Sequence, residues 1–123
     1  MLTDAKAYSG IAVRDMGEAR AFYADVLGVR TSEEYGLVWL DHGNGCRTLV
    51  YEQPSAVPAS YTVLNFEIDD IEAVVDGLVK SGVTIERYED FEQDERGVFR
   101  DEGPYIAWFK DPTGNLLSVL QEK

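Results

Sequence analysis

The chain repeats itself, and that repeat restricts the folds open to it more than any other feature. Residues 9–15 read as a short strand that ends at Asp15, an acid able to cap a helix, and Glu18 three residues later completes a capping-box pattern. Ala19, Phe22, Tyr23, Val26 and Leu27 follow at helical spacing, and Gly28 stands where a helix stops. The same grammar returns in residues 61–68, a strand with Asp69 and Asp70 as candidate caps. Ile71, Val74, Val75, Leu78 and Val79 form its helical stripe and Gly82 its stop. Asp15 maps onto Asp70 with an offset of 55, and Gly28 onto Gly82 with an offset of 54.

The strand-rich halves match as well. A constant offset of 69 pairs Trp39 with Trp108 and Gly45 with Gly114, and residues 37–52 and 106–121 each read as a hairpin. Asp111, Pro112 and Gly114 occupy positions that a type I turn favours, and residues 42–45 are the looser counterpart. A Pro/Ser-rich connector, residues 53–60, joins a first module, 1–53, to a second, 61–123. Each module has about 50–60 residues and one helix, too little to be independently stable with ease, so one domain spanning 1–123 is expected. The second copy is longer by an insertion-like stretch over 86–102.

These residues resemble the glyoxalase/bleomycin-resistance/dioxygenase, or vicinal oxygen chelate, superfamily. The resemblance rests on Ile11-x-Val13-x-Asp15 followed by Ala21-Phe22-Tyr23 and Leu27-Gly28, and on Phe109-x-Asp111-Pro112-x-Gly114-Asn115 near the end. It implies an α+β fold of two tandem βαβββ modules whose curved mixed sheets form a cup, paired in a homodimer. Enzymes of this family hold a divalent metal in the cup. Its His, Glu or Gln ligands lie seven residues before the acid that ends a module's first strand, or on a module's last strand. Carried over one at a time, those positions fall on Tyr8, Val63, Leu49 and Ser118. Neutral phenol and hydroxyl oxygens are poor ligands and the other two side chains have no donor, so no metal and no cofactor are expected. The single histidine, His42, falls in a turn away from these positions.

Strand side chains alternate between faces. If Tyr8 faces the cup, so do Gly10 and Ala12; in the second copy Val63, Asn65 and Glu67 share that face, and Leu49 and Tyr51 pair with Ser118 and Leu120. The expected ligand-binding set is Tyr8, Leu49, Tyr51, Val63, Asn65, Trp108 and Ser118, an apolar and aromatic lining with a few polar groups. Each has a plainer role. The tyrosines also serve as filling, the two tryptophans as shared packing, and Glu67 as a solvated rim acid rather than a base. No catalytic residue is assigned.

The charge balance bears on partners. Eleven Lys and Arg against 23 Asp and Glu give a formal net charge of -12, which disfavours nucleic acid and anionic membranes and favours a cationic small molecule. The same acidity also serves solubility alone. Eight acids fall in 86–102 beside Arg87, Arg96 and Arg100 and the aromatics Tyr88, Phe91 and Phe99, a composition that suits either a solvated loop or a lid. One cysteine, Cys46, no signal-peptide pattern and no long apolar run fit a cytoplasmic protein. The expected activity is metal-independent binding of an aromatic or cationic small molecule, as in bleomycin-resistance-type sequestration. The alternatives are a glyoxalase-like lyase, isomerase or dioxygenase, or a domain kept for its partner contacts.

Overall fold

Parallel pairing of the first and last strand of each half organises the chain. A computed structural model describes residues 1–123, which divide into two compact units, Met1–Val57 and Pro58–Lys123. The first contains β1 (Ser9–Val13), α1 (Met16–Arg20), a π-helical continuation (Ala21–Val26), β2 (Arg30–Glu34), β3 (Leu37–Asp41) and β4 (Arg47–Glu52). The second contains β5 (Thr62–Glu67), α2 (Ile71–Lys80), β6 (Tyr105–Lys110) and β7 (Leu116–Gln121). The sheet orders are β1-β4-β3-β2 and β5-β7-β6, with β1–β4 and β5–β7 parallel and the remaining pairs antiparallel.

The local signals act as their chemistry dictates. Asp15 and Asp70 are the N-caps, their Oδ1 atoms accepting from the Glu18 and Ala73 N–H groups at 2.9 and 3.2 Å. A further pair of bonds reproduces the repeat. The Met16 N–H donates to Glu52 Oε1 and the Ile71 N–H to Gln121 Oε1, each at 2.9 Å. In both units the last residue of the final strand thus satisfies an N–H that the helix leaves unpaired. The hairpin turns correspond bond for bond. His42 N–H donates to Cys46 O and Gly45 N–H to His42 O, while Asp111 N–H donates to Asn115 O and Gly114 N–H to Asp111 O.

Each sheet buries one face against its helix, and that face carries most of its branched aliphatic residues. In the first unit Ile11, Val13, Val38, Leu40 and Val50 are buried with Ala19 and Tyr23 of the helical segment. In the second, Ala107, Phe109, Leu117 and Val119 are buried with Ile71, Val75 and Leu78. Val79, placed on the apolar stripe by its spacing, is instead 55% exposed at the end of α2.

Three departures from the expected pattern have local causes. The first helix widens into π turns, Leu27 N–H donating to Phe22 O at 2.9 Å, and so reaches Gly28 by a wider path than helical spacing implies. In β5, Thr62 opposes Leu116 and Leu64 opposes Leu117, so Val63 has no partner of its own and strict alternation stops short of it. The second sheet has three regular strands. Where the first sheet has β2, residues beside β6 make only single bridges, Gln93 with Phe99 and Phe99 with Ile106.

Candidate functional site

In the second unit, one row across the sheet face opposite the buried one reads Asn65, Ser118, Trp108, because Ser118 opposes Asn65 on β5 and Trp108 on β6. Ser118 is fully buried, and its hydroxyl donates to Asn65 Oδ1 at 2.6 Å. Asn65 itself is exposed and Trp108 half-buried. The flanking row is Glu67, Leu120 and Ile106, with Glu67 exposed. A polar pair therefore sits between Trp108 and a row of two aliphatic residues that ends in an exposed acid.

Trp108 is not bare. Phe91 stacks on it with centroids 5.5 Å apart and planes 15° from parallel; Tyr88 meets its edge at 5.6 Å and Phe99 lies at 6.3 Å. These three rings come from the acidic stretch, which is tied to its own unit at many points. Glu86 N–H donates to Trp108 O at 2.8 Å, and Phe99 exchanges two backbone bonds with Ile106. Gln93 holds the turn from within, its Oε1 accepting from Tyr88 N–H and its Nε2 donating to Glu86 O and Gly97 O. Arg96 pairs with Asp76 of α2, and Arg100 bridges Asp94 and Glu72. Burial pushes the Asp94 carboxyl up, but hydrogen bonds from Val98 N–H, the Arg100 guanidinium and Arg96 N–H together bring it below its ordinary value of 3.8. The acids of this stretch are thus partly engaged by its own arginines.

The first unit carries the matching row Gly10, Leu49, Trp39, since Leu49 opposes Gly10 on β1 and Trp39 on β3. By the offsets of the repeat, Gly10 corresponds to Asn65, Leu49 to Ser118 and Trp39 to Trp108. Tyr8, just ahead of β1 and 62% exposed, meets the Trp39 ring edge-on at 4.7 Å, and the Arg47 guanidinium lies 4.0 Å from the same ring's centroid. Tyr51, opposite Ala12, has its ring over Gly10; a Cβ there would come within 3.3 Å of it. Tyr8, Leu49 and Tyr51 thus gather around Gly10 and Trp39 in one unit, and Asn65, Ser118 and Trp108 gather in the other. Val63 alone is set apart from its row by the bulge. Trp39 and Arg47 lie outside the expected ligand-binding set; the offset of 69, which pairs Trp39 with Trp108, marks the first, and no sequence signal marks the second.

His42 is placed in the turn as its spacing indicates, but it is not free in solvent. Its Nε2 lies 2.8 Å from Thr48 Oγ1, and burial lowers its pKa below 6.5 against the opposing pull of Asp41.

A divalent metal does not fit the residues at the positions that the family resemblance marks. Val63 and Leu49 have no donor atom, Tyr8 offers a phenol, and the Ser118 hydroxyl already donates its proton to Asn65. Nowhere in the chain do three His, Cys, Asp or Glu side chains group as metal ligands do. No helix is long and apolar enough to cross a membrane.

Comparison with known proteins agrees with this architecture. The chain is 26% identical over 125 residues to a protein of Vibrio parahaemolyticus serotype O3:K6 named probable lactoylglutathione lyase, covering 90% of this chain and 86% of the relative. A glyoxalase family protein from Bacillus anthracis has a similar structure, with a TM-score of 0.75 at 19% identity, over 94% of this chain and 93% of that one. An antibiotic-binding protein from Streptomyces sp. CB03234 gives a TM-score of 0.72 at 21% identity, over 98% and 99%. A fosfomycin resistance protein from Listeria monocytogenes gives 0.73 at 13%, over 98% and 92%. These structural likenesses carry the fold. The family model for the Glyoxalase/Bleomycin resistance protein/Dioxygenase superfamily matches residues 7–119, and with that match over nearly the whole chain, the protein belongs to this superfamily.

Proposed function

We propose that the chain binds a small aromatic or cationic organic molecule without a metal, as a sequestering protein. The observation that carries this reading is the Asn65–Ser118 pair beside Trp108, at a position where the family's enzymes place a metal-ligating carboxylate. A largely apolar face with one oriented polar pair and Glu67 at its edge suits an organic ligand better than an ion. Tyr8, Leu49 and Tyr51 supply the corresponding face of the first unit, and Val63 is retained as a neighbour of Asn65. The net charge of -12 favours cations over anions in the approach to these faces. A thermal-shift and calorimetric screen against cationic aromatic antibiotics tests the reading; a panel that produces neither stabilisation nor heat would sink it.

A second reading, a glyoxalase-like lyase or isomerase, is favoured by the likeness to the Vibrio protein. Metal analysis of the purified chain separates the two. Stoichiometric zinc, nickel, iron or manganese, with formation of lactoylglutathione, would establish the enzyme. A metal-free enzyme would need a base, and Glu67 is the acid nearest the Asn65 row; unchanged turnover in Glu67→Gln would remove it. The proposal includes a homodimer in the cytoplasm, for which light scattering should report twice the chain mass of 13.8 kDa.

A further inference from the structure

The hydrogen bond between Ser118 and Asn65 has a direction, and the direction restricts the ligand. The Ser118 hydroxyl donates and the Asn65 side-chain carbonyl accepts, at 2.6 Å. Burial argues the same way. Ser118 has no exposed surface, and Asn65 is its only side-chain partner. Turning the amide round would make Nδ2 the donor and take from the buried serine proton the one side-chain acceptor it has, an unfavourable exchange for a group shielded from water. The serine therefore holds Oδ1 inward. The two Nδ2 protons are left facing away from it, on an exposed residue in the same row as Trp108.

We infer that Asn65 is a specificity-determining residue that presents two N–H donors to the ligand, that Ser118 positions it, and that the ligand is a flat aromatic molecule with a neutral oxygen acceptor such as a ring carbonyl. The inference rests on the proposed function and narrows it. An aromatic ring follows from the Trp108 surface and its neighbours Phe91 and Tyr88. An acceptor follows from the outward amide protons, because a ligand N–H placed against them would leave donors facing donors. Neutrality of that acceptor follows from the net charge of -12, which opposes a carboxylate or phenolate. The first unit does not offer this chemistry, since Gly10 and Leu49 occupy the equivalent positions.

Acridone and carbazole test the inference as a pair of fluorescent, neutral three-ring probes. Both carry a ring N–H, and only acridone carries a carbonyl acceptor. Acridone should bind the unmodified chain more tightly, by about tenfold for one hydrogen bond gained against one donor left unpaired. Asn65→Asp, at an exposed position, should reverse the preference. Ser118→Ala should bring the ratio of the two affinities toward one without weakening carbazole, a change in selectivity that lost packing alone would not produce. A ligand-free measurement stands beside these. In the side-chain 15N–1H spectrum the Asn65 amide protons should exchange freely with water. Protected amide protons, or a preference for acridone that survives Asn65→Asp, would overturn the inference while leaving the proposed binding function intact. Failure of both probes to bind, with the amide protons freely exchanging, would overturn the aromatic-ligand reading and this inference together.

Discussion

Gly97 and Ile85 meet so closely that a Cβ built on the glycine would lie 2.6 Å from Ile85 Cγ2. The glycine also has φ +89°, a conformation that L side chains rarely adopt. It is the tight point at which the acidic stretch turns back on itself, its carbonyl accepting from Gln93 Nε2 and its N–H donating to Asp94 O. Gly97→Ala should destabilise the protein by about 2–3 kcal/mol, combining backbone strain with a clash in packed surroundings. Urea denaturation checks this. A loss below half a kcal/mol would mean that the stretch gives way easily and is not anchored as described.

The hairpin between β2 and β3 has the opposite problem. Its two-residue loop, Tyr35-Gly36, has positive φ at both positions, 53° and 76°, as in a type I′ turn. Gly36 suits that conformation and tyrosine does not. Tyr35 is 99% exposed, so no packing offsets the strain. Tyr35→Asn should stabilise the chain by about 0.5–1 kcal/mol, because asparagine tolerates the left-handed region. An unchanged or lower melting temperature would show that the exposed ring contributes something the geometry does not reveal.

Asp111 is buried and its carboxylate organises the turn that ends β6. Oδ1 accepts from the Gly114 and Asn115 N–H groups, both at 2.9 Å, and Oδ2 accepts from Asn115 Nδ2 at 3.0 Å. Asp111→Ala leaves these donors without their acceptor and should cost about 3 kcal/mol. Asp111→Asn keeps one acceptor and should cost less, about 1–2 kcal/mol. The order of the two variants in chemical denaturation is the test, and an alanine variant as stable as the asparagine one would contradict it.

Two groups predict how stability follows pH. His42 has a folded pKa below its ordinary 6.5, so the unfolded chain takes up a proton first as pH falls. Stability should start to decline as pH drops through about 6.5 and level off below the folded value. With one histidine in the chain, a single imidazole titration by NMR reads that folded value directly. Asp94 has a folded pKa below 3.8, so its contribution is present above that value and is lost as pH falls through the folded pKa. Asp94→Asn should flatten the acid limb of the stability profile and leave the His42 step in place.

Much of this molecule is legible in the order of its residues, because the signals are short-range. Asp15 and Asp70 cap their helices through N–H groups only three residues away. The Asp111–Asn115 turn closes through bonds within five residues. The offset of 69 correctly sets Trp39 and Trp108 in equivalent places, each opposite a residue of the last strand. The family follows from those motifs and is supported by the match over residues 7–119.

What depends on distant neighbours was not legible. The bulge that separates Val63 from its row exists only in the pairing of β5 with β7, and the π turns of the first helix show no break in its apolar stripe. Composition leaves the acidic stretch free to be loop or lid, whereas backbone bonds of Glu86 and Phe99 tie it to β6 and the Arg96 and Arg100 side chains tie it to α2. Above all, the sequence by itself set a serine where a metal ligand was expected and an asparagine 53 residues before it. Only the parallel pairing of β5 with β7 put them 2.6 Å apart. A strand's alternation decides which side a residue occupies, but its register against another strand decides which atoms it meets, and register is settled by the burial of the whole sheet.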